Sequence, residues 1–188
     1  MISAPAGTGK TTLVDKLTHE FSSIVRSVSC TTRAPRHSEQ EGRDYFFLDK
    51  KAFEKKIAEG GFLEHAKVFG EYYGTSVDFV KKLQESGKHV VMVIDTQGAL
   101  QLQKHFKGKT PAIFIFISPP SLTELKERLH KRKTENPQSM EERLAWAKKE
   151  LEMVHHYDYH IVNDHLETAY TVLKSIFIAE EHKVRRIT

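Results

Sequence analysis

The chain has 188 residues, enough for one domain or for one core carrying small inserted parts. Its 29 basic residues against 25 acidic ones leave a net charge of +4, which suits phosphate-bearing ligands but gives weak ground for nucleic acid, so no nucleic-acid partner is expected. No apolar run is long enough to cross a bilayer, no signal-peptide pattern opens the chain, and the single Cys30 cannot form an internal disulfide, so the expectation is a soluble cytoplasmic protein without membrane attachment.

In chain order, Met1-Ile2-Ser3 reads as a first strand. It is short beside the roughly five residues of a typical strand, which leaves room for the natural chain to extend upstream. The run Ala4 to Thr11 follows as A-x-x-x-x-G-K-T, one residue from the phosphate-binding loop pattern G-x-x-x-x-G-K-[ST]. Gly7 and Gly9 let the backbone take positive φ and turn successive N–H groups onto one point, with Ala6, Thr8 and Thr12 completing the cradle. Ala4 replaces the first glycine of the pattern and is tolerable if that position keeps negative φ. Lys10 supplies a mobile charge for a transferring phosphoryl group, and Thr11 offers a hydroxyl to Mg²⁺. Leu13, Val14, Leu17 and Phe21 follow at helical spacing, so the loop feeds a helix N-terminus, where the dipole also favours anions. A glycine-rich turn before an ordinary helix is the competing reading. The order of glycines, lysine, hydroxyl residue and helix favours a nucleoside triphosphate site.

Ile24 to Ser29 alternates like a strand, and residues 30 to 43 form a polar loop. Asp44 to Leu48 is a strand, and Lys50 to Gly60 a short helix with Phe53 and Ile57 on one face. Phe62 to Phe69 follows, then Gly70 to Thr75 as a turn and a helix from about Ser76 to Ser86. This β-rich stretch with short connections differs from its flanks, so residues 32–87 are expected to be an inserted subdomain. The continuous apolar run His89 to Ile94 is what a strand buried on both faces of a parallel sheet requires. Asp95, at its carboxyl end, suits either a metal role or a cap for the next helix. Ala112 to Ile117 is a further buried strand. Ser121 and Glu124 form a capping box opening a helix with Leu122, Leu125 and Leu129 inward, and Ser139 and Glu142 form a second, grouping Leu144, Ala147 and Leu151. Between them Arg128, Lys131, Arg132 and Lys133 flank the tip Thr134-Glu135-Asn136-Pro137. Such a charge run suits a solvated loop, or a lid whose arginines, Arg128 among them, close on phosphates. Tyr159 to Asn163 is the last strand, and Asp164 starts an amphipathic helix. The histidines show no metal spacing, and Trp146 is expected under the lid or in the core. The alternation of strand and helix predicts an α/β fold, a parallel sheet with helices on both faces, of phosphate-loop type. Residues 1–31, 88–118 and 155–188 would make the core and 119–154 a helical lid.

Several motifs now stand in a recognisable order. They are Ser3 to Lys10, Ser29-Cys30-Thr31-Thr32-Arg33-Ala34-Pro35-Arg36, Gly42 to Phe47, Phe62 to Ala66, Tyr72 to Thr75, Ile94 to Gly98, Arg132 to Glu135 and Ile161 to Asp164. In these the chain resembles the guanylate kinase family over nearly its whole length. The resemblance implies ATP- and Mg²⁺-dependent phosphoryl transfer to GMP or dGMP. By similarity, Arg33, Arg36, Tyr45 and Tyr73 would hold the acceptor phosphate, and Ser29, Glu64, Thr75 and Asp95 would face guanine. Arg132 and Arg143 would reach the ATP phosphates from the lid, with Asn163 near adenine; Lys10, Arg36, Arg132 and Arg143 would carry the catalysis. Val93 stands where the family often has an acid, and Lys133 where it commonly has glycine. Two other readings share the same residues: a phosphate-loop kinase for another phosphorylated acceptor, and a non-catalytic module that binds phosphoprotein. The loop lysine and the lid arginines argue against the module.

Overall fold

The structure, a computed structural model, describes residues 1–107, 111–131 and 137–184. Strand β1 (Ile2–Ser3) runs into a loop and helix α1 (Lys10–Glu20), followed by β2 (Ile24–Arg26), β3 (Ser29–Thr31), β4 (Tyr45–Phe47) and α2 (Lys50–Ala58). Then come β5 (Phe62–Val68), β6 (Glu71–Ser76), α3 (Val77–Glu85), β7 (His89–Val91), α4 (Thr96–Phe106) and β8 (Ile115–Ser118). Helices α5 (Leu122–Lys131) and α6 (Pro137–Glu152), a 3₁₀ turn at Val154–His156, β9 (Tyr159–Val162) and α7 (Leu166–Glu181) complete the order.

The core sheet is parallel. β2 pairs with β7, and β1 with β8, which pairs with β9. The bridge Ile2↔Val93 and the bonds Ile2 N to Met92 O (2.8 Å) and Ile94 N to Ile2 O (3.2 Å) join the two sets into the order β2-β7-β1-β8-β9. Leu13, Val14 and Leu17 of α1 pack with Ala169, Leu173 and Ile176 of α7 on one face of this sheet. Val80 of α3 and Ala99 and Leu102 of α4 pack with Met92, Ile94 and Phe114 on the other. Burial on both faces explains why these strands read as unbroken apolar runs rather than alternating ones. At about 1.5–3 kcal/mol per large side chain, the two clusters fix where every strand ends. The carboxyl ends of β1, β2 and β7 consequently meet at one edge, where ligands of open α/β sheets bind.

A second sheet, in the order β4-β3-β6-β5, stands over that edge, with β3 parallel to β4 and the β5–β6 hairpin antiparallel. The expected single strand from Ile24 to Ser29 is therefore two. The chain leaves the core after Arg26, and Ser27 and Val28 carry it into the second sheet, since β2 and β3 need different partners. The expected turn from Gly70 to Thr75 is instead strand β6, and the turn is Phe69-Gly70 alone, both with positive φ (50° and 87°). That two-residue geometry matches the right-handed twist of a hairpin. Gly74 serves packing: a methyl group there would press on the Phe62 and Phe53 rings at 3.0–3.1 Å.

Other boundaries shift for local reasons. Ser121 Oγ accepts from Glu124 N (3.0 Å), so the first capping box forms, but Leu122 at the first helical position is 38 % exposed while Leu125 and Leu129 are buried. The second box does not mark a start, because α6 already begins at Pro137, whose fixed φ suits a first helical position. Helix α7 starts at Leu166, two residues after Asp164.

Candidate active site

The loop between β1 and α1 has the shape its residues require. Gly7 and Gly9 both take φ of 90°, and Gly9 caps α1 in the left-handed region. Among the described residues Phe69 is the one non-glycine with positive φ, so Ala4 keeps the negative φ its side chain needs. Thr8 is buried and folds onto Pro5 O through its backbone N–H (3.3 Å) and its hydroxyl (2.7 Å). Lys10 lies back over the loop, its Nζ donating to Ala4 O (3.2 Å). No acidic residue occupies the first turn of α1, which leaves its N-terminal dipole for an anion, and Thr11 and Thr12 are exposed there.

A cavity of about 250 Å³ opens from this loop toward the second sheet. Ala6, Lys10 and Thr11 line it from the loop; Arg36, Tyr45, Tyr73 and Glu64 from the second sheet; Ser29 and Asp95 from the strand ends; and Arg143 from α6. Arg33 stands behind the two tyrosines, its guanidinium forked onto Glu39 (2.8 and 2.9 Å) and over the Tyr45 ring at 5.5 Å. Thr75 is fully buried, and its hydroxyl donates to Glu64 Oε1 at 2.5 Å. Its proton is thus engaged by Glu64 in this state. Asn163 is buried beside the loop, where Nδ2 donates to Thr8 O (2.6 Å) and packs so closely on Gly9 that a Cβ there would lie 2.7 Å from Nδ2. Arg128 is bound to Glu124 Oε1 (2.9 Å), Asn163 O (2.9 Å) and Asp164 O (3.3 Å), outside the cavity lining. Arg132 and Lys133 lie outside the described residues.

Asp95 caps α4: Oδ1 accepts from Gly98 N (2.7 Å). The cap leaves Oδ2 buried and without a hydrogen-bond partner among the described residues, a polar atom suited to a ligand. Burial raises its pKa above the ordinary aspartate value, against bonds from the α4 backbone and the charge of Lys10. Glu64 is pushed up to about 7, chiefly by burial, with the Thr75 hydrogen bond acting the other way. Lys10 is pulled down by burial and held up by Glu150 and Asp95.

Glu150 is the residue that sequence reasoning misses. It is 5 % exposed, lines the cavity from α6, and its carboxyl is raised to about 7 by burial, opposed by Lys10 and by a hydrogen bond from Trp146. Arg143, Trp146 and Glu150, at i, i+3 and i+7, form one helical stripe facing the cavity. Arg26 at the end of β2, paired with Asp15 (3.2 Å), joins the lining as well. A sequence signal existed only for the stripe, in the spacing of 143, 146 and 150 on a helix otherwise rich in exposed lysine and glutamate.

A phosphate loop at the mouth of a parallel sheet, facing a second sheet that carries arginine and tyrosine across one cavity, defines a phosphate-loop kinase of small phosphorylated acceptors. Comparison with known proteins gives the particular family. The guanylate kinase family model matches residues 1–180. The guanylate kinase of Protochlamydia amoebophila is 54% identical over 186 residues, covering 99% of this chain and 92% of that relative, and that of Clostridium perfringens is 44% identical over 187 residues, covering 100% and 85%. The crystal structure of guanylate kinase from Anaplasma phagocytophilum matches with a TM-score of 0.79 at 34% identity, over 97% of this chain and 85% of that one. The chain belongs to the guanylate kinase family. Membership carries the family's reaction, transfer of a phosphoryl group from ATP to GMP.

Proposed function

We propose that the cavity is the site of this transfer, with dGMP as a further acceptor, and that the named residues divide the work as follows. The loop residues Ala6 to Thr12 hold the ATP phosphates, with Lys10 following the transferring group and Asn163 bracing the loop beneath the adenosine. Arg33, Arg36, Tyr45 and Tyr73 hold the acceptor phosphate, and Ser29, Glu64, Thr75 and Asp95 face guanine. Arg128, Arg132 and Arg143 approach the ATP phosphates from residues 119–154, which act as a lid. Residues 32–87 act as the acceptor-binding part, and 1–31, 88–118 and 155–188 as the core. We place the enzyme in the cytoplasm; no helix among the described residues is long and apolar enough to cross a membrane.

The chemistry asks little beyond alignment. A monophosphate with a second pKa of about 6 already presents an anionic attacking oxygen at neutral pH, so no general base is required. Crowded negative charge must be neutralised, and planar guanidinium groups do this bidentately, which is why arginines dominate the two loops. Mg²⁺ fits the donor set. Among the described residues no group of three acidic, histidine or cysteine side chains could hold a metal, whereas Thr11 offers one hydroxyl beside the loop in the same cavity. That sparse set suits an ion that keeps its waters and is bound mostly through phosphates. When bound, it supplies charge neutralisation on the transferring phosphates.

The observation that carries the base assignment is the buried Glu64 facing a cavity whose other end is the phosphate loop. Guanine offers N1–H and a 2-amino group side by side, and one carboxylate can accept both. Adenine offers an N1 lone pair instead and would leave the buried carboxylate unpaired. Sites of this kind reject the mismatch by roughly 10⁴-fold. The test is turnover of GMP against AMP, with Glu64→Ala beside the unmodified protein. Strong preference for GMP is expected, and Glu64→Ala should cost GMP use far more than ATP binding. Equal turnover of GMP and AMP by the unmodified protein would defeat the assignment.

A further inference from the structure

We propose that Gly98 is a specificity-determining residue: the bare backbone of the first turn of α4 is the seat on which the base-reading carboxylate of Glu64 rests. The inference builds on the guanine-facing role of Glu64 proposed above. Gly98 is buried, with a backbone φ outside the left-handed region, so its conformation does not demand glycine. The space does. A Cβ on Gly98 would stand 2.8 Å from Glu64 Cδ, 3.3 Å from Cγ and closer still to Oε2. The three atoms nearest that position all belong to the Glu64 side chain.

Neighbouring contacts hold the carboxylate and its strand in this position. Thr75 holds Oε1 from β6. One residue further along β5, Gln101 of α4 clamps the backbone of His65, accepting from its N–H (3.2 Å) and donating to its carbonyl (2.8 Å). Strand β5 is therefore docked on α4, and the Glu64 side chain enters the cavity against the turn of helix that Gly98 leaves uncovered. Gly98 also donates its N–H to Asp95 Oδ1, so the same turn orients both carboxyls that line the base end of the cavity.

A structural and a functional role for this glycine predict opposite things. Alanine is the better helix former at a position of ordinary φ, and the group it would collide with is the far end of a flexible side chain. The Gly98→Ala protein should therefore fold and melt no lower than its parent. Its displaced Glu64 carboxylate should bind guanine poorly: KM for GMP rises by roughly 10- to 100-fold, the preference for GMP over AMP falls, and ATP affinity stays the same. The decisive measurement is a double-mutant cycle with Glu64→Asp. The shorter side chain withdraws its carboxylate from the added methyl, so Glu64→Asp should be far less harmful in the Gly98→Ala background than alone. Strictly additive losses, or a Gly98→Ala protein with unchanged GMP preference, would overturn the seat. Preference for GMP by the unmodified protein, measured in the same experiment, tests the underlying role of Glu64 separately.

Discussion

Glu64, Asp95 and Glu150 place three carboxyls around the cavity that holds Lys10, and burial raises the pKa of each. An acid whose pKa rises on folding keeps protons in the folded state that the unfolded chain has already released. The stability linked to Glu150 is therefore full below about pH 4.5 and is lost as pH climbs to about 7, and Glu64 acts in the same sense over the same window. For each group the change is on the order of 3 kcal/mol. The nucleotide-free protein should melt at lower temperature at pH 8 than at pH 5, and Glu150→Gln should remove about half of that fall while keeping the volume beside Trp146. The same substitution removes a negative charge from a cavity built for phosphates, so ATP should bind severalfold more tightly to Glu150→Gln at pH 8. Thermal melts across this pH range, with ATP titrations at pH 8, check both statements; a pH slope identical to the parent's would show that Glu150 titrates normally. Apart from its helical spacing from Arg143 and Trp146, little in the local sequence announces this residue. Lys148, Lys149, Glu150 and Glu152 read as a solvated helical face, and it is the packing of α6 across the phosphate loop that takes Glu150 out of water.

At the scale of elements, what is legible in the sequence is what local physics dictates. The phosphate loop shows because glycine, lysine, hydroxyl and helix follow one another without help from distant residues, and β7 and β8 show because burial on both faces demands an unbroken apolar run. The hairpin is less legible because its glycines serve two different ends: Gly70 makes the turn, and Gly74 admits aromatic rings into a strand. The break at Ser27 and Val28 is illegible for a similar reason, since the separate partners of β2 and β3 decide it. Phe69 shows what the hairpin does with its turn. A bulky residue at φ 50° carries strain on the order of 1–2 kcal/mol, and Phe69 is 48 % exposed, yet its ring meets Trp146 at 5.7 Å and lies under the Arg143 guanidinium at 5.5 Å. The strained turn thus holds the tip of the second sheet against α6. Phe69→Asn would create the Asn-Gly pair that such turns prefer, and should raise stability by about 1 kcal/mol while detaching the tip from α6. A higher melting temperature with a lower kcat/KM is the expected pair of results, and a variant as active as the parent would show that this contact is idle.

For the whole molecule, the arrangement of anchors suggests how the two nucleotides are brought together. β5 is clamped to α4 through Gln101 and His65, so the base end of the cavity is held to the core. The phosphate-facing groups, Arg36 on the β3–β4 connection and Arg143 on α6, lie across the cavity from one another on separate elements. Like-charged guanidinium groups drawn to the same phosphates should approach only when both nucleotides supply negative charge between them. We therefore predict that closure pivots near the α4–β5 seam and is largest with both ligands present. The chain is well equipped to report it. Trp146 is the single tryptophan and lines the cavity, and Cys30 is buried with its thiol pushed up to about 11, so an added exposed cysteine can be labelled selectively. With an acceptor dye on Lys51→Cys at the exposed start of α2, energy transfer from Trp146 should rise slightly with GMP and most with GMP plus a non-hydrolysable ATP analogue. Transfer that stays constant through both additions would mean the arginines reach the phosphates by side-chain motion alone, and the closure would have to be abandoned.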